Sequence, residues 1–204
     1  MPEQNKTLPK AVKRELLHRR TIVCEGFIRD DGLFDIEGQM IDVKDYDFKN
    51  THRGLIEAGE PLHDMRIRLT LDNDLEVKDI VAATAYSPYR QCSDIAPAYK
   101  KLIGEKIQSG WSRKIKQTFR RELGCTHLSE LLITMATVAL QTILGSANSK
   151  KMMKLQAPLK TSSDQIDQTK SSKISFAIGG CYALRADGLV ASELLLKPSP
   201  KDKD

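Results

Sequence analysis

Hydrophobic and polar residues alternate along several stretches of the chain, which is the pattern of β-strands with one buried face. The clearest stretch begins at His63, where every second residue from Met65 to Leu71 is apolar and the residues between them are polar. Turn-forming residues occupy 72–74, and residues 75–86 then return to an apolar pattern. We therefore predict an antiparallel hairpin over 63–86.

An earlier hairpin is predicted over residues 21–48. Its two halves are rich in β-branched and aromatic residues, and they flank the turn Arg29-Asp30-Asp31-Gly32. Residues 49–62 contain two glycines and a proline and show no periodicity, so we predict a connecting loop there.

Beyond Pro88 the apolar spacing lengthens to three or four residues, which is typical of helices. Two short helices are predicted, one before and one after Gly104. A longer apolar stretch from Leu128 to Leu144 stops at Gly145 and predicts the central helix.

These elements predict an α+β fold in which an antiparallel sheet of hairpins packs against helices. The expected organisation is an N-terminal lead-in over 1–18 and a core domain over 19–145. A flexible linker over 146–173 follows, because its polar composition buries too little apolar surface to offset the entropy of ordering. A C-terminal hairpin over 174–198 joins the core, and a charged tail occupies 199–204.

Composition narrows the classes of function. The chain has 204 residues, a net charge of +5 and an ordinary apolar content of 40%. It lacks the long uninterrupted apolar run of a membrane span and the apolar core of a signal peptide, so we expect a cytoplasmic protein with no membrane partner. Basic and acidic residues are mixed, which argues against a nucleic-acid partner. No phosphate-binding loop or GxSxG motif is present.

Residues that could carry chemistry gather at the ends of predicted elements: His63 and Asp64 enter a strand, Cys92 begins a helix, and Cys125 and His127 begin the central helix. A helix N-terminus favours the thiolate form of cysteine, which is the form that attacks or binds metal. Two thiolates, an imidazole and a carboxylate would suit zinc or iron. These five residues are therefore the candidate metal site.

Structural explanations compete with this interpretation. Cysteine often packs as a small hydrophobic residue, and Cys24 and Cys181, which fall inside predicted strands, are assigned that role. His63 could pair with Asp64, and His127 could bind free backbone groups at its helix start.

Several phrases of the sequence, among them CEGFIRDDGLFDIEGQMIDVKDY and GCTHLSELLITMATVALQTI, resemble a bacterial family catalogued as domain of unknown function 2889. The resemblance covers roughly Arg19 to Gly145, and it implies no established activity.

A more distant resemblance is to the IscU/NifU iron-sulfur scaffold proteins, and it implies an IscU/SufE-like arrangement of sheet and helices. Their aspartate would correspond to Asp64, their second cysteine to Cys92 and their last cysteine to Cys125. Their first cysteine is replaced by Leu62, and Gly124 stands where they have a histidine.

The preferred hypothesis is a metal-binding accessory or scaffold-like domain that holds zinc or iron, with an iron-sulfur cluster as a variant, and serves a protein partner or small molecule. One alternative is a small enzyme in which Cys125 attacks a small metabolite with help from His127 or His63. Another is an interaction module with structural cysteines.

Overall fold

The computed structural model describes residues 8–146 and, further along, Tyr182, Arg185, Asp187 and Gly188. Over 8–146 the fold is α+β with an antiparallel sheet, as predicted. The strands are β1 (His18–Ile28), β2 (Phe34–Lys44), β3 (Phe48–Asn50), β4 (Gly54–Ile56), β5 (Pro61–Leu71) and β6 (Val77–Tyr86). The main sheet has the order β1-β2-β5-β6, and β3 and β4 pair separately.

Both predicted hairpins of the main sheet are present. The first turns at residues 29–33, where Gly32 adopts a φ of 84° and its N–H donates to the carbonyl of Arg29. The predicted loop over 49–62 was wrong, because it contains β4, overlaps β3 and includes the start of β5. Strands of three residues are too short to show a period of two, which explains the miss.

The predicted division into lead-in, core domain, linker, C-terminal hairpin and tail stays a prediction. Strand β1 begins at His18, one residue before the predicted core domain, and residues 8–17 contain no helix or strand. The predicted linker, C-terminal hairpin and charged tail lie outside the described residues, apart from the four residues named above and the helix end at Ser146.

The helical part covers one face of the sheet. It consists of α1 (Trp111–Thr118), α2 (Thr126–Ser146) and three short 3-10 helices, Arg90–Ser93, Ala96–Leu102 and Arg121–Leu123. The first of the two short helices predicted after Pro88 is thus a 3-10 helix. The central helix begins two residues before the predicted start and continues past Gly145.

Helix α2 lies very close to the sheet at Gly38 of β2. A Cβ atom added there would stand 2.7 Å from the sulfur of Met135, closer than real side chains approach. Glycine therefore allows the close contact between helix and strand. The buried core lies in this interface, and its α2 members are Leu128, Leu131, Leu132, Met135, Ala136, Ala139 and Ile143.

Within the described residues, one stretch, Thr126–Leu144 of α2, is long and apolar enough to cross a membrane by length and composition alone. Core helices of soluble proteins pass the same test, and α2 buries its apolar side chains against the sheet.

Candidate metal site

Three polar side chains lie in one row across the sheet, on the side that α2 covers. Arg20 of β1 is directly opposite Asp42 of β2, and Asp42 is directly opposite His63 of β5. Side chains that are directly opposite share a face of the sheet. Asp42 continues the buried alternation of β2 and is 1% exposed, so a charged residue occupies a core position.

Helix α2 brings a second imidazole to this row. His127 is its second residue, and the ring of His127 lies against the ring of His63, with centroids 3.8 Å apart and planes inclined by 31°. Farther along the first turns of α2, Glu130 accepts a hydrogen bond of 2.7 Å from Nη1 of Arg20. The start of the helix is thereby tied to β1.

The buried phenol of Tyr99 holds the start of α2 in position. Its oxygen accepts the backbone N–H of Cys125 at 3.0 Å and donates to the carbonyl of the same residue at 2.9 Å. Because that donation uses its one hydrogen, the 2.9 Å contact with Ser129 is a bond that the serine hydroxyl donates. These bonds orient the backbone next to His127.

The ligand-type atoms of Asp42, His63 and His127 all lie within 4.8 Å of one another. Oδ2 of Asp42 is 3.1 Å from Nδ1 of His63 and 3.7 Å from Nε2 of His127. On the other side of the carboxylate, Nε2 of His18 is 3.3 Å from Oδ1. Three of the four histidines in the chain therefore surround a single carboxylate.

Arg20 keeps this carboxylate ionised. Its Nε and Nη2 atoms donate to the two oxygens of Asp42 at 2.7 and 2.9 Å. Burial by itself raises the pKa of Asp42, but the hydrogen bonds and the charge of Arg20 outweigh it, so the pKa is lowered overall. A negative charge is thus retained in a buried position.

His63 of β5 and His127 of α2, the two histidines next to Oδ2 of Asp42, both favour the neutral form. Burial, followed by the neighbouring His127 ring, lowers the pKa of His63 to about 4, and the charge of Asp42 offsets only part of this. Burial also lowers the pKa of His127, against the attraction of Asp42. Neutral imidazole is the form that binds metals.

The residues fit a metal ion in two respects. Nδ1 of His63 is buried and lies 3.1 Å from Oδ2 of Asp42, but this contact does not meet the geometry of a good hydrogen bond. In addition, metal bonds of roughly 2.0 to 2.1 Å place tetrahedral ligands about 3.3 Å apart. The two separations from Oδ2 of Asp42, 3.1 and 3.7 Å, lie on either side of that distance.

The structure brings together only part of the predicted ligand set. His63 and His127 meet, but Asp64 does not join them, because adjacent residues of a strand point to opposite faces. Asp64 lies on the open face, where it accepts hydrogen bonds from Gln39 at 2.9 Å and Arg66 at 3.0 Å.

Of the two candidate cysteines, Cys125 lies beside the histidine cluster. Sγ of Cys125 is 3.9 Å from Nδ1 of His127, whereas Cys92 belongs to the short 3-10 helix Arg90–Ser93. Both line an open cavity of about 550 Å³. Its other lining residues are Tyr89, Gln91, Asp94, Ile95, Glu122 and Gly124.

Of the two cysteines that were assigned a structural role, Cys24 and Cys181, the structure describes only Cys24. Cys24 is half-buried and packs against the core, and burial raises the pKa of its thiol. Cys181 lies outside the described residues.

Sequence reasoning missed Asp42, Arg20 and His18. A signal for Asp42 was nonetheless present, because it falls in phase with the apolar positions Phe34, Ile36 and Met40 of the same strand. A charge at a position that the alternation marks as buried calls for a partner. The same phase places His63 with Met65 and Ile67.

Most of the described core matches a known protein family. Residues 18–141 match the family described as "Protein of unknown function (DUF2889)". The chain belongs to this family. The match includes the whole sheet and most of α2, and with them Asp42, His63 and His127. No curated protein and no solved structure match the chain.

Proposed function

We propose that the protein binds one zinc or iron ion through Asp42, His63 and His127. The observation that supports this most directly is the convergence of one ionised carboxylate and two imidazoles that favour the neutral form, from three different elements, within 4.8 Å. Two histidines and one carboxylate form a common ligand set for both metals, and they leave further coordination positions open. Arg20 is then the outer partner that orients Asp42.

The nature of the ligands favours a single ion over an iron-sulfur cluster. Clusters are held mainly by thiolates, whereas this site offers nitrogen and oxygen atoms. The thiol of Cys125 is beside His127 and not among the converging atoms. The resemblance to IscU/NifU proteins therefore contributes the idea of an accessory metal protein in the cytoplasm, which serves a protein partner or small molecule, without cluster assembly.

Metal analysis of the purified protein tests this proposal. The wild-type chain, stripped with a chelator and titrated with Zn²⁺ or Fe²⁺ under anaerobic conditions, is expected to bind one equivalent. His63→Gln and His127→Gln are each expected to weaken binding at least about tenfold, since each removes a ligand.

His52→Gln provides a matched control, because His52 is the remaining histidine and lies against Tyr89, away from the carboxylate. Equal affinity in the control and in both ligand variants would disprove the site. Circular dichroism of each variant verifies that the fold is retained.

A second candidate function, a cysteine-dependent enzyme, is favoured by the relation of Cys125 to His127. Nδ1 of His127 faces the sulfur at 3.9 Å, and Nε2 of the same ring faces Asp42 at 3.7 Å. This is the order of a nucleophile, a base and an orienting acid. The adjacent cavity would hold a small metabolite.

Labelling by iodoacetamide separates the two functions. An enzyme nucleophile is expected to react faster than Cys92 in the metal-free protein and to slow down in His127→Gln. If Cys125 reacts no faster than Cys92 with or without the chelator, the enzyme hypothesis fails and the metal proposal is unaffected.

A further inference from the structure

The helical segment over residues 96–123, which we call the basic layer, concentrates the positive charge of the protein. It contains eight basic and two acidic residues, so its net charge is +6, whereas the whole chain carries +5. The remainder of the chain is therefore almost neutral. The basic residues are Lys100, Lys101, Lys106, Arg113, Lys114, Lys116, Arg120 and Arg121.

The basic layer packs its apolar side chains inward and leaves its basic side chains outside. Tyr99 of its first 3-10 helix stacks on Phe119 after α1, with ring centroids 4.2 Å apart. Trp111 and Ile115 of α1 are buried, being 4% and 0% exposed, so this helix turns its apolar side to the core. The basic side chains consequently lie at the outside, and all of them are exposed except the half-buried Lys114.

Almost none of these charges is neutralised by a neighbour. Lys114 pairs with Glu105, but the other seven basic side chains form no ion pair with any residue that the structure describes. The open face of the sheet behaves differently, since Arg66 pairs with Asp64 and Arg68 pairs with Glu37. Positive charge is thus balanced on the sheet and unbalanced on the basic layer.

We propose that the basic layer binds the phosphate backbone of a nucleic acid. Unpaired Lys and Arg side chains on one surface are the electrostatic footprint of such binding, and arginine forks suit phosphate oxygens. Charge averaged over the whole chain argues against a nucleic acid, but the local arrangement argues for one. The proposal is independent of the metal site.

A membrane surface is a poorer fit to the same charges. Interfacial helices insert an apolar face next to their basic residues. Here the apolar side of α1 is already occupied by the core, and the large apolar side chains exposed in the layer are Ile103 and Leu123, at 44% each. Two separate side chains do not make an inserting face.

Fluorescence anisotropy tests the proposal with the full chain and labelled single-stranded RNA and duplex DNA of mixed sequence. We expect binding at about 50 mM salt that weakens steeply towards 200 mM, as counterion release requires. The variant R113Q/K116Q/R120Q/R121Q is expected to bind at least about tenfold more weakly. The slope of log affinity against log salt should decrease by about 3 to 4 for the duplex.

The control R29Q/R66Q/R68Q/K78Q removes the same charge from side chains that are already ion-paired, three of them exposed and Arg29 half-buried. It is expected to retain most of the affinity and the slope. Three results would overturn the proposal: no binding of either nucleic acid at low salt, equal loss in both variants, or binding only to phosphatidylserine vesicles. Thermal melts of each variant show whether the fold is intact.

Discussion

Two aspartates one register position apart differ in almost every physical respect. Asp42 and Asp64 lie on neighbouring strands, but Asp42 faces α2 and Asp64 faces away from it. Asp42 has Arg20 and three imidazoles around it, whereas Asp64 is bound by Gln39 and the largely exposed Arg66. Burial raises the pKa of each carboxyl, and the arginine partners outweigh it in both.

Successive side chains of a strand point to opposite faces of the sheet, and this alternation decides which of the two aspartates lies next to the histidines. Both carboxylates are buried and paired, and both adjoin His63 in sequence or in register. Only Asp42 shares the face that α2 closes, so only Asp42 meets His127. The candidate site therefore lies on the face of the sheet that α2 covers.

The largest expected effect is the loss of stability on removing Asp42. Asp42→Ala removes the bidentate partner of Arg20 and is expected to cost about 2 to 3 kcal/mol. The cost lies below that of breaking a fully buried pair, because the side chain of Arg20 is 32% exposed and keeps its ion pair with Glu130. Asp64→Ala is expected to cost about 1 kcal/mol, because Arg66 can turn to water. Urea denaturation of both variants measures the contrast, and equal losses would contradict it.

The second expected effect is a dependence of stability on pH. The folded pKa of His63 is about 4 and the unfolded value about 6.5, so between these limits the unfolded chain binds the extra proton. The contribution of His63 to the free energy of unfolding is therefore fully present above pH 6.5 and is lost as the pH falls towards 4. From pH 7 to pH 5 the free energy of unfolding should decrease by about 2 kcal/mol from His63 alone.

Urea denaturation with a chelator present at several pH values checks this dependence. In His63→Gln the decrease should be clearly smaller, while the lowered pKa of His127 preserves part of it. An unchanged pH profile in the variant would show that His63 is not the group responsible. The His52→Gln protein serves as the reference.

A smaller effect is expected from widening the gap between α2 and β2. Gly38→Ala places a Cβ against Met135 and is expected to cost about 1 kcal/mol, the low end for overpacking, because the methionine side chain is flexible. Because His127 is carried by α2, the same change is expected to weaken zinc binding severalfold. Gly59→Ser is a suitable comparison, since that glycine has open space around it and a φ of 82° that strains any other residue. Its cost should appear in stability and leave zinc affinity intact, as measured by titration calorimetry.

The smallest effect is expected at Cys92. Cys92→Ser should leave zinc affinity within about twofold, because this residue lies on the cavity and outside the converging cluster. Cys125→Ser is expected to shift the affinity modestly through its contact with His127. Loss of zinc from the Cys92 variant would instead make Cys92 a ligand, as predicted from sequence.

Much of the fold was predictable because the long strands have enough residues to show their period. The two main hairpins and α2 were found in this way, whereas β3 and β4 were too short to be seen. Of the residues that meet in the structure, His63 and His127 had been selected as candidates from their residue types. Asp42 was overlooked because it sits inside a strand and not at an element end.

The sequence by itself determined the two hairpins of the main sheet and the central helix, since these are long enough to show their periodicity. It also determined family membership, which matches over residues 18–141. Only the tertiary structure decided that residues 20, 42, 63 and 127 meet. It also decided that seven of the eight basic side chains of the basic layer form no ion pair with any described residue. Such contacts depend on strand register and on where α2 docks, and neither is encoded in any single stretch of chain.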